Sequence, residues 1–245
     1  MNKPLVVITG AGSGIGRACA IKFQENGYQV ACLDIDLQEA KNTLKLINSD
    51  GRAYQVDVSD YKIVEKISQN LISNLCSPCA LINCAGISPN PMPTHLYDIE
   101  EWKRVIDINL NGSFYMMKYL IPALLENSNS SIVNISSVLG VVANATTSGY
   151  AASKHAIVGL TKATALDYAQ QGLRVNCVGP GVIETNMTKE ILADPKTKEM
   201  LSSQTPIGRV AKPREVANLI YYLSSEDAEF ITGSFFPIDG GYTTA

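Results

Sequence analysis

Short β-branched apolar runs recur along this 245-residue chain, and longer segments with helical periodicity fill the intervals between them. The runs are Leu5–Thr9, Gln29–Leu33, Ala53–Val56, Ala80–Asn83, Ser131–Ile135, Arg174–Val178 and Ser234–Ile238. Between them, Gly14–Asn26, Leu37–Asn48, Tyr61–Leu75, Ile99–Leu125, Gly149–Gln171 and Pro213–Leu223 place apolar residues three and four apart with charged residues in between. Strands that alternate with helices imply parallel β-α-β units with right-handed crossovers. The expected fold is α/β, a doubly wound sheet of about seven parallel strands flanked by helices on both faces. No charge block, repeat or low-complexity stretch divides the chain, and its richest breaker cluster, Ser88-Pro89-Asn90-Pro91-Met92-Pro93, is too short for a domain linker. Residues 1–245 are therefore expected to form one domain, with a core built from the 46% of residues that are apolar.

In such a sheet ligands bind beyond the carboxyl ends of the strands, where the strand order reverses. The first strand runs into Thr9-Gly10-Ala11-Gly12-Ser13-Gly14-Ile15-Gly16 and then a helix. The spacing fits neither G-x-G-x-x-G nor the triphosphate loop G-x-x-x-x-G-K-[ST], because Ile15 or Arg17 stands where a glycine is needed. What remains is G-x-x-x-G-x-G, whose glycines let backbone approach a pyrophosphate while the helix start offers free N–H groups to it. The second strand strengthens that reading. It ends at Asp34, near the ~20-residue offset at which a carboxylate accepts hydrogen bonds from an adenosine ribose. Neither Ser13 nor Ile35 supplies a basic group for a 2′-phosphate, so Asp34 points to NAD over NADP. Asp36, directly before Leu37, is expected to cap the next helix.

A net charge of −3 offers no positive field to a polyanion, which argues against nucleic acid and anionic membrane as partners and favours a small molecule. No apolar run approaches the ~20 residues of a membrane helix and no signal peptide is visible, so a cytoplasmic location is expected. In that compartment the default for the six cysteines is the free thiol. Cys76-Ser77-Pro78-Cys79 follows a helix instead of opening one and has no second C-x-x-C, so neither redox chemistry nor zinc is favoured. With only two histidines, His95 and His155, a His-based metal site or a Ser-His-Asp triad has almost nothing to use, and the reading contains no metal.

The segment after the fifth strand carries Tyr150 and Lys154, four apart and so on one helix face. Acid–base work by a tyrosine near neutrality asks for a drop of about three pKa units, or ~4 kcal/mol. An ammonium about 4 Å away supplies an interaction of that order at an effective dielectric near 20, which makes Lys154 a sufficient activator. Ser137, just past the fifth strand, would hold a substrate oxygen on the ligand side, with Ser136 directed away. Asn109, a polar amide in the apolar stretch Val105–Leu110, needs a reason, and positioning water or Lys154 would be one.

Taken with Asp57-Val58 after the third strand, Asn83-Cys84-Ala85-Gly86, and Pro180-Gly181 followed by Thr185, these features resemble the short-chain dehydrogenase/reductase family over nearly the full length. The resemblance implies a Rossmann-like domain in which Gly10, Ser13, Gly14, Ile15 and Gly16 hold the dinucleotide. It further implies that Asp34 binds the ribose, Asp57 and Val58 meet the adenine, and Asn83, Ala85, Gly86, Pro180, Gly181, Ile183 and Thr185 complete the cofactor site. Tyr150 would exchange the hydroxyl proton, Ser137 stabilise the oxygen, Lys154 lower the tyrosine pKa and bind the nicotinamide ribose, and Asn109 order a relay water. Cys84 departs from the family's usual second asparagine. The implied activity is NAD(H)-dependent interconversion of a secondary alcohol and a ketone by a homotetramer. Its substrate would be walled by Val138–Ala145, His95–Tyr97 and a loop over 182–205. Two alternatives stay open, a 3-oxoacyl-acyl-carrier-protein reductase and a catalytically idle NAD-sensing or scaffold protein.

Overall fold

The computed structural model describes residues 3–244. Seven strands form one parallel sheet: β1 (Leu5–Thr9), β2 (Gln29–Asp34), β3 (Arg52–Gln55), β4 (Ala80–Asn83), β5 (Ser130–Ile135), β6 (Leu173–Pro180) and β7 (Phe235–Ile238), in the order β3-β2-β1-β4-β5-β6-β7. The order reverses between β1 and β4, so the crevice expected from the sequence lies beyond Thr9 and Asn83.

Strand alternation sorts the core into two layers. Leu5 and Val7 face α3 (Tyr61–Asn74), α5 (Gly112–Leu124) and α6 (Ser148–Tyr168), where Leu71, Met116, Leu120 and Leu124 are buried. Val6 and Ile8 face α1 (Gly14–Glu25), α2 (Leu37–Leu46) and α9 (Pro213–Ser224), against Phe23, Ala40 and Ile220. Capping fixes where helices begin. Asp36 accepts from Gln38 N–H and Glu39 N–H, as expected, and Asp60 accepts from Lys62 N–H and Ile63 N–H at the start of α3.

Two segments depart from the sequence reading. The single helix expected over Ile99–Leu125 is α4 (Ile99–Ile106), a π-helical turn (Asp107–Asn111) and α5. The wide turn carries Asn109, whose side chain is bonded to the backbone of Ile87. The expected loop over 182–205 contains two short helices, α7 (Lys189–Ala193) and α8 (Pro195–Ser203), the second capped by Asp194. Among the described residues no helix is long and apolar enough to cross a membrane.

Candidate active site

A cavity of about 520 Å³ occupies the crevice at the strand reversal. Gly10, Ser13, Gly14, Ile15, Gly16, Asp34, Asp57, Val58, Ala85, Gly86, Pro180, Gly181, Ile183 and Thr185 line it, together with Ser137, Tyr150 and Lys154. Of the catalytic and cofactor residues expected there, Asn83 and Asn109 alone do not reach its wall. Asn83 is 2% exposed and its amide donates to Asn134 Oδ1 across β4 and β5 at 2.9 Å, so it ties strands together beneath the site.

The glycine-rich turn is shaped to bring backbone close to a ligand. Gly14 sits at φ +50°, and a Cβ on Gly16 would lie 2.1 Å from the Gly10 carbonyl oxygen, so the first turn of α1 tucks under the loop only without side chains. Ser13 stands at the helix N-cap without a capping side-chain bond, which leaves the first N–H groups of α1 open to an anion. Asp34 holds the neighbouring backbone, accepting from Gly12 N–H at 2.8 Å and from Asp36 N–H at 3.0 Å. The nearest basic group, Arg17, is bound to the Gly12 carbonyl, to Glu39 at 2.6 Å and to Thr43 Oγ1 at 3.0 Å. Asp57 accepts from the Ser59 N–H and hydroxyl through a single oxygen. An uncapped helix start, a cradle that side chains would fill and a carboxylate at the far end fit a dinucleotide.

At the other end, Ser137 caps the short 3₁₀ turn Val138–Gly140, and its Oγ accepts from Leu139 N–H at 3.1 Å, which leaves its hydroxyl proton to donate elsewhere. Ser136 turns away, as expected, and donates to the Lys154 carbonyl at 2.9 Å. Lys154 is 5% exposed, donates from Nζ to the Ile135 carbonyl at 2.9 Å, and lies 5.5 Å from the Tyr150 ring centroid. Burial pushes its pKa down to about 8, with Cys84 opposing. The expected depression of Tyr150 is not found in the cofactor-free chain. Burial raises the phenol, only the Ser137 hydroxyl beside it works the other way, and the lysine, itself desolvated and turned to a carbonyl, does not offset this.

Asn109 is 1% exposed, and both its amide hydrogens are engaged: Oδ1 accepts from Ile87 N–H at 2.8 Å, while Nδ2 donates to the Ile87 carbonyl at 3.0 Å and Ser153 Oγ at 3.2 Å. Oδ1 keeps one lone pair beyond these bonds, the one place on this side chain where the expected water could donate. The amide clamps the segment after β4 beside Lys154, whose Nζ would stand 3.5 Å from a Cβ on Gly86.

His95–Tyr97, expected at the substrate, do not line the cavity; Tyr97 packs edge-on against Trp102. The structure brings in Tyr242 and Asp239 instead, from the C-terminal turn. The Asp239-Gly240-Gly241 turn was the one local signal for them, since Asp239 accepts from Gly241 N–H and Thr243 N–H. The six cysteines are free thiols, and burial raises Cys76 and takes Cys79 to about 11, the opposite of a reactive redox pair.

Residues 10–243 match the family model described as enoyl-(acyl carrier protein) reductase. A cyclohexanol dehydrogenase of Acinetobacter sp. (strain SE19) is 38% identical, with 99% of this chain and 96% of the relative aligned. The 3-oxoacyl-[acyl-carrier-protein] reductase FabG of Thermotoga maritima is 35% identical over 96% of each chain. The chain belongs to the short-chain dehydrogenase/reductase family. Among solved relatives, a putative NAD(P)-dependent gluconate 5-dehydrogenase from Beutenbergia cavernae, bound to NADP at low occupancy, superposes with a TM-score of 0.94 at 29% identity, covering 100% of this chain and 98% of that one. As a short-chain dehydrogenase/reductase the protein is an oxidoreductase of CH–OH groups with a cofactor of the NAD(P) type. Where the family's usual second asparagine is replaced, the Cys84 N–H donates to Thr9 Oγ1 at 3.0 Å, so the link between β1 and β4 runs through backbone and is indifferent to the side chain.

Proposed function

We propose that this protein is an NAD(H)-dependent dehydrogenase that interconverts a secondary alcohol and a ketone, with Tyr150, Ser137, Lys154 and Asn109 as its working residues. The observation that carries the reading is the grouping of the Ser137 and Tyr150 hydroxyls with the Lys154 ammonium on the wall of a cavity that extends to Asp34. When bound, NAD supplies the hydride acceptor at its nicotinamide ring. In alcohol oxidation Tyr150 takes the hydroxyl proton at Oη, and the free Ser137 hydroxyl donates to the same substrate oxygen. Lys154 places a cation near the phenolate and offers Nζ to the nicotinamide ribose, while Asn109 is a positioning residue that holds Ile87 and its neighbours against Lys154. Asp57, Val58, Asn83, Ala85, Gly86, Pro180, Gly181, Ile183 and Thr185 complete the cofactor site, Asn83 from beneath it.

NAD is favoured over NADP because the Asp34 carboxylate would meet a 2′-phosphate with like charge, and Arg17 is already occupied by Glu39, Thr43 and the Gly12 carbonyl. We further read residues 1–245 as one cytoplasmic domain with its substrate segment over 182–205, working as a homotetramer without nucleic-acid or membrane partners. Exposed Ile99, Trp102, Phe114 and Leu166 on α4, α5 and α6 support assembly through those helices. The relative from Thermotoga maritima keeps a second reading, reduction of a 3-oxoacyl group on an acyl carrier, in view.

The test is to incubate purified protein with NAD or NADP and a panel of secondary alcohols and polyols, and with NADH and the matching ketones and a 3-oxoacyl thioester, following absorbance of the reduced cofactor. Turnover of the alcohols with NAD supports the proposal. Turnover confined to the thioester would replace it with the second reading.

A further inference from the structure

The chemistry above uses one substrate oxygen, yet the cavity presents a second place for one. Its apolar walls include Val138, Leu139, Val182, Met187, Ile191 and Leu201, and among the described residues no guanidinium and no ammonium besides Lys154 lines it. Lys154 gives one N–H to Ile135 and is otherwise assigned to the phenolate and the cofactor ribose, and Asp239 is bonded within its own turn. A carboxylate or phosphate carried into this region would lose its water without gaining a counter-charge.

Neutral polar side chains stand among these apolar walls, Thr147, Asn186, Gln204 and Thr205 included, and one pair is bonded together. Tyr242 Oη donates to Asn144 Oδ1 at 3.3 Å, and both side chains line the cavity. The Tyr242 ring packs against the cluster of Val138, Leu139 and Ala151, against which Tyr150 also packs, so the pair shares a wall with the reacting phenol. Both partners are held from behind. Asp239 fixes the C-terminal turn by accepting from Gly241 N–H at 2.9 Å and from the Thr243 N–H at 2.9 Å, and the Asn144 carbonyl accepts from Thr147 Oγ1 at 2.8 Å. With Oδ1 engaged by Tyr242, Nδ2 of Asn144 has no protein partner among the described residues. The amide is an exposed hydrogen-bonding group without charge, oriented by Tyr242 on the wall of the cavity that Tyr150 also lines.

We propose that Asn144, oriented by Tyr242, binds a second oxygen of the substrate, and that the preferred substrates are neutral compounds with a hydroxyl besides the one oxidised: diols, hydroxyketones and related polyols. This rests on the dehydrogenase reading above and sharpens it. A group built to bond a substrate hydroxyl discriminates against the analogue that lacks it.

Matched pairs test it: cyclohexanol against 1,2-cyclohexanediol and 2-butanol against 2,3-butanediol, each with NAD, with kcat/KM measured for wild type, Asn144→Leu and Tyr242→Phe. The ratio of diol to mono-alcohol is expected to be about tenfold in wild type, to fall to near one in Asn144→Leu, and to fall partway in Tyr242→Phe, which keeps the ring against the Val138, Leu139 and Ala151 cluster. A merely structural role would lower both members of a pair together and leave the ratio intact. That result, or a wild-type ratio of one or below, overturns the proposal. Failure of wild type to oxidise any alcohol in the panel while still binding NADH would overturn the dehydrogenase reading itself, and the inference with it.

Discussion

Replacing Lys154 by methionine should make the cofactor-free protein more stable at neutral pH. The ammonium is 5% exposed, and burial moves its pKa from the ordinary 10.5 to about 8. A base whose pKa is depressed on folding binds its proton less readily in the native state than in the unfolded one. Between pH 8 and 10.5 the unfolded chain therefore carries more protons, and wild-type stability rises with pH through that window. Below pH 8 the full penalty applies, about 3 kcal/mol for a shift of this size. Methionine removes the charge but also the bond from Nζ to the Ile135 carbonyl, which offsets about 1 kcal/mol. The variant should thus be about 2 kcal/mol more stable at pH 7, and the advantage should vanish or reverse by about pH 11. Urea unfolding of both proteins at equal concentration across pH 7 to 11 measures this, since other titrating groups cancel in the difference. A variant less stable at pH 7, or a difference that does not change with pH, would refute the burial argument.

Asp34→Asn is the cleaner probe of cofactor choice, because alanine would also leave the Gly12 N–H without its acceptor. Loss of a charged hydrogen bond of about 1.5–3 kcal/mol should weaken NAD by about tenfold or more and narrow its advantage over NADP, read as the ratio of kcat/KM values. If wild type already works better with NADPH, the reading of Asp34 is wrong. For assembly, light scattering at micromolar concentration should give the mass of a tetramer, and a monomer would leave exposed Leu166 and Phe230 unexplained.

The parts legible in the sequence were those decided locally. The glycine turn, the carboxylate ending β2 and the Asp36 cap each depend on neighbours within a few residues, and the structure has a turn with Gly14 at positive φ, Asp34 accepting from Gly12 N–H, and Asp36 capping the next helix. The π-helical turn was not legible, because residues Ile99–Leu125 are apolar on more than one face and a slip in helical period leaves no mark in such a pattern. What widens the helix is a bond between Asn109 and Ile87, a tertiary contact. Asn83 was expected at the cofactor from its motif, and the bond of its side chain to Asn134 on the adjacent strand is a contact that no local pattern announces. Tyr242 was missed for a similar reason, since its partner Asn144 lies far away in the chain and no local periodicity links the two. The pKa of Tyr150 shows the limit of spacing arguments: four residues on a helix bring Lys154 near, but they say nothing of the burial that both groups undergo.

The central claim is that Tyr150 moves the proton and does not merely line the pocket, and one substitution tests it directly. In Tyr150→Phe the ring still packs against Val138 and Leu139, and only Oη is lost. NADH affinity, read by fluorescence titration, should stay within a few-fold of wild type, while alcohol oxidation by NAD should fall by about 10² to 10⁴, the range expected for loss of a general acid–base group. A variant that binds NADH normally and still oxidises alcohols within tenfold of wild type would contradict the account.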